Sequence, residues 1–316
     1  MLLYYNHPIA QLFNLFDNPD KKRKFHKKSV PITGGILIIS NLLFFLLFLK
    51  IFNLNEYKSE IFTQPLIFVA MLFFIIGVID DKISINANLK FILTFILISG
   101  VLIYDSSLIL NNINFQFVSF NLKYWSLPWT IICFLLFINA FNMFDGYNLQ
   151  SASYSFFIFI IFFLKSNYDF LFLIILISII FFSYLNYFSK SFMGDGGTYA
   201  LGFLIGVFAI KLYNFNYFQT VDEIVLLMII PGIDLMRLFC QRIIKYKRSP
   251  FSADRKHLHH LLSDKFGWLK TFFIMNSLIV IPFLIGEIFS IHLQILFIQI
   301  LIYFVLLYKI NSLSIN

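Results

Sequence analysis

A chain of 316 residues that is 59% hydrophobic, 20% aromatic and only 13% charged, with a mean hydropathy of +0.83, is not a water-soluble globule, which carries about 25% charged residues. The formal net charge of +8 marks the cytosolic loops of such an apolar chain rather than a nucleic-acid surface, and no nucleic acid is expected as a partner. Cys133 and Cys240 both lie in or beside apolar runs, which excludes a disulfide framework.

A membrane-spanning helix needs about 20 mostly apolar residues. Such runs lie at roughly 33–52, 61–79, 88–104, 124–141, 151–165, 168–188, 198–213, 223–240, 271–290 and 292–310. The pattern predicts an all-α fold: one polytopic transmembrane helix bundle of about ten spans, 1–316, without linker or internal repeat. The stretch before the first run, Met1 to Phe16, is too short and polar to span. With the N-terminus in the cytosol, 19 of the 24 Lys and Arg residues fall on the cytosolic side. Lys50, Lys58, Lys123, Lys165 and Lys211 fall on the other, so the positive-inside rule fixes this orientation.

The polar residues that interrupt the apolar pattern then share one face. Asp80 and Asp81 end the second run, Asn142 and Asp145 the fourth, and Asp195 follows the sixth. His257, His259 and His260 follow the eighth, and His26 precedes the first. A transporter of an anionic substrate, the rival reading, would carry ionisable groups near mid-bilayer. Here the chemistry gathers at the cytosolic surface, where the loops are expected to build one active site.

The first basic segment, which holds Arg23, Lys24 and His26, suits an anion beside the membrane; attraction to anionic lipid is the plainer reading. Gly34-Gly35 then enters a helix, where bare backbone can approach a neighbour or a phosphate closely. Asp80-Asp81 repel each other unless a cation or proton lies between them, so Mg²⁺ binding competes with a solvated helix cap. Asn139, Asn142 and Asp145 are spaced by three and share a helix face, with Asn148 beyond them able to donate to and accept from a uracil edge. Phe192 opens the glycine-rich stretch Gly194-Asp195-Gly196-Gly197, whose N–H groups and following helix N-terminus can face a diphosphate, with Asp195 on its metal; an ordinary turn uses the same residues. In the last cytosolic loop, Ser252 to Arg255 resembles a helix start, with His257 and His260 on one face. The absence of cysteine and the presence of Arg255 and its basic neighbours argue for a diphosphate there rather than zinc.

Taken in order, from Asp17 to about Trp268, these segments resemble the polyprenyl-phosphate N-acetylhexosamine 1-phosphate transferases, members of glycosyltransferase family 4. The segments Asn139–Gly146, Phe192–Asp195 and Arg248–His260 carry the likeness most specifically. It lies closer to the N-acetylglucosamine and O-antigen-initiating branch than to the peptidoglycan phospho-MurNAc-pentapeptide translocases. The resemblance implies an enzyme that transfers N-acetylhexosamine 1-phosphate from a UDP-sugar to polyprenyl phosphate and releases UMP. It implies Mg²⁺, with Mn²⁺ as an alternative, and a multi-pass protein of the bacterial inner membrane working for cell-envelope or lipopolysaccharide biosynthesis. By position, Asp80 and Asp81 match the acceptor and catalytic pair, and Asp195 the metal ligand, with Asp145 a second candidate. Asn142 and Asp145 match the nucleotide-sugar segment, Asn148 and Phe192 the uracil contacts, and His257, His259 and His260 the histidine motif. Arg23, Lys24, His26, Lys90 and Arg255 complete the expected substrate-binding set. A second copy of the chain is an open partner. Three departures stand out: Ser84 in place of a third acid, Leu149-Gln150 in place of Gly-Leu, and Thr198 in place of Ser.

Overall fold

The computed structural model describes residues 2–19, 28–52, 61–252 and 254–312; Arg23, Lys24 and His26 fall outside them. Twelve α-helices occur among the described residues: α1 (Leu2–Phe13), α2 (Gly34–Ile51), α3 (Gln64–Ile83), α4 (Ala87–Tyr104), α5 (Ser126–Phe144), α6 (Gln150–Lys165), α7 (Phe170–Tyr187), α8 (Gly194–Asn214), α9 (Val221–Cys240), α10 (Leu258–Phe266), α11 (Trp268–Phe289) and α12 (His292–Ser312). Every apolar run of the sequence is a helix, and α1 and α10 are additional. Two antiparallel pairs also occur among the described residues: β1 (Phe16–Asp17) with β2 (Val30–Pro31), and β3 (Asn112–Asn114) with β4 (Ser119–Asn121).

Seven of these helices are long and apolar enough to cross a membrane: α2, α4, α5 with its preceding turn, α7, α8, α11 and α12. All ten runs of the sequence are helical, and these seven meet that measure of length and composition among the described residues. Helix α6 is apolar but only 16 residues long, and α9 carries Asp222, Glu223, Asp234 and Arg237. The chain is a multi-pass membrane protein. Its outward side chains agree with that setting: Phe91, Ile92, Phe95 and Ile96 of α4, and Phe297, Leu301 and Val305 of α12, are exposed. Such a density of exposed apolar groups is stable only in hydrocarbon.

Local chemistry sets the helix ends. Asn86 accepts the N–H of Asn88 at 3.0 Å ahead of α4, and Asp169 that of Leu171 at 3.0 Å ahead of α7. Helix α3 starts on Pro65, where the missing N–H costs nothing, and stops where Ser84 turns left-handed.

The described residues fall into two compact units, one of residues 1–109 and 148–217, the other of 110–147 and 218–316. In the first, α8 is buried from Gly196 to Tyr213 and packs against α2, α3 and α6. Lipid offers no hydrophobic reward for bringing helices together, so close packing must do it. The glycines of α8 permit that approach, and Phe73 stacks on Phe203 with centroids 4.7 Å apart. At the C-terminal end of α8, buried Lys211 pairs with Asp105 at 2.9 Å. In the second unit, α9 packs against α5, α11 and α12. Buried Gln299 of α12 donates to the carbonyls of Leu278 at 2.7 Å and Leu226 at 3.2 Å, linking three helices through backbone atoms.

Candidate active site

In the first unit the apolar run of α3 ends at Ile79, and Asp80 and Asp81 follow on its last turn. They meet the start of α8. A methyl group at Gly77 would overlap the Asp195 carbonyl, so only glycine lets α3 approach this closely. The N–H groups of Asp195 and Gly196 donate to Asp81 Oδ1 and Oδ2 at 3.0 and 3.2 Å. A carboxylate on a helix N-terminus is favoured by orphan donors and dipole together. The glycines expected to form a turn facing a diphosphate are therefore the first turn of α8 itself, and Asp81 takes the first donors. Gly34-Gly35 serves a neighbour rather than a phosphate: a methyl at Gly35 would strike the backbone of Gly197.

Asp80 is buried, accepts the N–H of Ile85 at 2.7 Å and pairs with Lys90 Nζ at 2.6 Å. Its side chain also hydrogen-bonds that of Asp195. Burial pushes the Asp80 carboxyl up, but the bonds with Asp195 and Lys90 more than offset this and hold it below its ordinary range. Asp81 goes the other way: burial first, then the charges of Asp80 and Asp17, raise it to about 6 against the two backbone bonds. Two carboxyl groups in contact, as Asp80 and Asp195 are, need a proton or a cation between them.

The same unit holds Asn148 and Phe192. Asn148 Nδ2 donates to Ser189 Oγ at 2.7 Å. Phe192 is held by backbone, its N–H on Pro31 and its carbonyl accepting from Gly34. Asn186 organises both stretches, accepting the N–H of Leu149 at 2.5 Å and donating to the carbonyl of Ser191 at 2.8 Å. Leu149 takes a left-handed backbone, φ 68°. Beside it, buried Gln150 leaves both amide atoms without a hydrogen-bond partner.

The second unit holds Asn142, Asp145 and the histidines. Asn142 lies in the last turn of α5, and Asp145 is its C-cap. Asn139, on the same helix face, donates to the Leu135 carbonyl at 2.7 Å and serves the helix. After α9, Ser252, Asp254 and Arg255 are not helical; α10 starts at Leu258, with His257 as its N-cap. The reason is local: Asp254 is engaged by the N–H of Lys256 at 3.0 Å and by buried Arg242 at 3.1 Å, and Arg242 also donates to the Pro250 carbonyl. Side-chain competition for backbone donors favours a turn over a helix.

His257 Nδ1 lies 2.7 Å from Asp234 Oδ2. Asp234 is buried and also accepts from Arg237 at 2.8 Å, from Tyr303 at 2.7 Å and from the N–H of Leu258. His259 is buried, parallel to His257 at 5.5 Å and edge-on to Tyr147 at 5.8 Å; neither of its ring nitrogens has a partner, nor has the Tyr147 hydroxyl. A methyl at Gly146 would overlap its ring. Burial, then the charges of His260 and His257, push His259 well below its ordinary value. Burial, then Arg255 and His257, lower His260 to about 4. At neutral pH these two rings are uncharged and offer hydrogen bonds rather than cations. Arg255 is partly exposed and pairs with Asp264 at 2.7 Å.

Sequence reading did not single out Asp234, Arg237, Tyr303, Asn186 or Tyr147. The available signal was a pair of opposite charges three residues apart inside an apolar run, Asp234 and Arg237.

Residues 63–213 match the family model described as glycosyl transferase family 4. The chain is 26% identical over 277 residues to an undecaprenyl-phosphate alpha-N-acetylglucosaminyl 1-phosphate transferase of Salmonella typhi, covering 83% of this chain and 72% of the relative. A protein of the same name from Thermotoga maritima is 25% identical over 270 residues, 85% of this chain and 80% of the relative. A probable undecaprenyl-phosphate N-acetylglucosaminyl 1-phosphate transferase of Bacillus subtilis is 28% identical over 295 residues, 90% and 77% respectively.

Proposed function

Because the chain belongs to glycosyl transferase family 4, we propose that it moves N-acetylhexosamine 1-phosphate from a UDP-sugar to polyprenyl phosphate. The acceptor's phosphate oxygen attacks the sugar-bearing phosphorus, the bond from that phosphorus to the bridging oxygen breaks, and UMP leaves with the electron pair. The product starts a lipid-linked glycan of the bacterial cell envelope, O antigen among the candidates. The reaction takes place at the cytosolic face of the inner membrane.

The observation that carries this reading is the contact of Asp80 with Asp195 at the end of an apolar run, with Lys90 paired to Asp80 and Asp81 anchoring the start of α8. Phosphoryl transfer asks a protein chiefly to position two anions and neutralise their charge. A membrane-interface carboxylate cluster suits that task only with a cation present. The fit of Mg²⁺ rests on the chemistry of the donor set: adjoining carboxylate oxygens, a hard ligand type, at the end of an apolar run. Asp80 and Asp195 would hold the ion, with Mn²⁺ an alternative ion. When bound it would offset charge on the transferring phosphoryl group.

The chain's own groups divide the remaining work. Lys90 neutralises charge beside the acceptor phosphate. Asp81 fixes the first turn of α8 and so the position of Asp195. Asn148 and Phe192 take the uracil, by hydrogen bonding and stacking. Within the second unit, Asn142, Asp145, Arg255 and the histidines are the groups suited to a nucleotide sugar. The neutral rings of His259 and His260 act as donors there, and the unpartnered nitrogens of His259 and hydroxyl of Tyr147 suit a bound polar ligand. Arg23, Lys24 and His26 add positive charge for the two anionic substrates. Membranes carrying the protein, incubated with undecaprenyl phosphate and a panel of labelled UDP-sugars, test the proposal by lipid-linked product. Label from no UDP-N-acetylhexosamine entering lipid would overturn it.

A further inference from the structure

A second group of metal-type side chains lies at the other end of α9. The carboxylates of Glu223 and Glu287 and the imidazole of His292 present ligand atoms that all lie within 4.8 Å of one another. They come from the start of α9, the end of α11 and the start of α12. Glu223 and Asp234 are eleven residues apart on α9, about 16 Å of rise, so this group is separate from Asp234 and His257.

Helix capping and ion pairing account for part of the arrangement. Glu223 Oε1 accepts the N–H groups of Gln219 and Thr220 at 2.8 and 3.0 Å, which fixes its head group. His292 Nε2 is 3.2 Å from Glu287 Oε1. Two buried oxygens beside them stay unexplained. Asp222 is 0% exposed; its Oδ2 accepts the Gln116 N–H at 2.7 Å and the Thr220 hydroxyl lies against the same carboxyl group, while its Oδ1 has no close hydrogen-bond partner among the described residues. The charges of His292 and Glu223 both act on Asp222. Gln116 donates through Nε2 to the Ser290 carbonyl at 2.8 Å, and its Oε1 is buried without a partner. A buried acceptor left bare is destabilising, the more so when charged. Two carboxylates and an imidazole from three helix ends also bring metal-type ligand atoms together in one place.

A divalent cation answers both features. We propose that Glu223, Glu287 and His292, with Asp222 in support, form a divalent-cation site that ties the start of α9 to the α11–α12 turn. One imidazole nitrogen with carboxylate oxygens matches Zn²⁺ or Mn²⁺ and disfavours Mg²⁺, which takes oxygen ligands alone. The site braces the second unit and takes no part in phosphoryl transfer.

Metal content decides the matter without any activity measurement. Purified full-length protein in detergent is equilibrated with micromolar Zn²⁺ in excess Mg²⁺, passed through a desalting column and analysed for zinc by mass spectrometry. About one zinc per chain is expected in the unaltered protein and in Asp195→Asn. His292→Gln and Glu287→Gln should bind it at least about tenfold more weakly. No retained zinc in the unaltered protein overturns the site, as does wild-type zinc content in the two substituted chains. If only one of them elutes as a single folded species, that one decides. If neither does, the melting temperature of the unaltered protein decides: a rise with Zn²⁺ but not with equimolar Mg²⁺ supports the site, and no such rise overturns it.

Discussion

At the start of α8, carboxyl groups crowd one another: Asp80 touches Asp195, and Asp81 is raised to about 6 by its burial and its neighbours. At the end of α9, one carboxylate, Asp234, is shared by Arg237, His257, Tyr303 and the N–H of Leu258. Both clusters end apolar helices and both are built from titratable side chains. They differ in whether the protein completes its own charge balance. Asp234 is fully supplied with donors, so its network holds His257 and the start of α10 in place and needs nothing further. The Asp80–Asp195 contact calls for a proton or a cation, the proposed Mg²⁺. The contrast separates a cluster that positions from a cluster that binds.

The contrast fails most visibly if Asp234 can be neutralised cheaply. Asp234→Asn leaves Arg237 buried beside an amide, and breaking a buried pair costs about 3–5 kcal/mol. Denaturation in detergent should show a loss of that size, and a loss below about 1 kcal/mol would mean that the network is not structural. The binding cluster should respond in the opposite manner. Asp195→Asn keeps shape and loses charge, so turnover should fall on the order of 10²-fold or more while the melting temperature barely moves. Near-normal turnover at saturating Mg²⁺ would place the metal elsewhere.

Calorimetry with UMP sharpens the division of labour within the first unit. Phe192→Ala should weaken UMP binding by roughly 1–3 kcal/mol, the scale of one base–aromatic stack. Asp80→Asn should abolish transfer and leave UMP binding largely unchanged; the reverse pattern would exchange the donor and acceptor assignments. The smallest effect is the pH dependence of the histidines. The His260 ring has a folded pKa of about 4 against an ordinary value of 6.5. Between these values the unfolded chain binds the extra proton, so stability falls as pH drops from 6.5 towards 4, by about 1.4 kcal/mol per pH unit at most. His260→Gln should flatten that slope in denaturation curves taken between pH 7 and 4.5, and an unchanged slope would show that His260 does not carry it.

Most of the helical architecture was legible because it depends on local composition. Ten apolar runs became ten helices, since a backbone in hydrocarbon must satisfy its own hydrogen bonds and an apolar run does so only as a helix. The positions of Asp80, Asp81, Asp195 and the histidines at run ends were equally plain, because a charge within apolar sequence is conspicuous. The partners of those residues were not legible. Which carboxyl touches which depends on Gly77 allowing α3 onto the Asp195 backbone, a contact between residues more than a hundred positions apart. The glycines at 194–197 read as a phosphate-facing turn, whereas Asp81 arrives from another helix and claims the donors. Ser252 to Arg255 reads as a helix start, but buried Arg242 claims Asp254 and α10 begins only at Leu258. Sequence by itself determined where the chain enters and leaves the apolar phase and which side chains are available for chemistry. Only the tertiary structure decided how those side chains are paired, because pairing is set by how closely helices distant in sequence can approach.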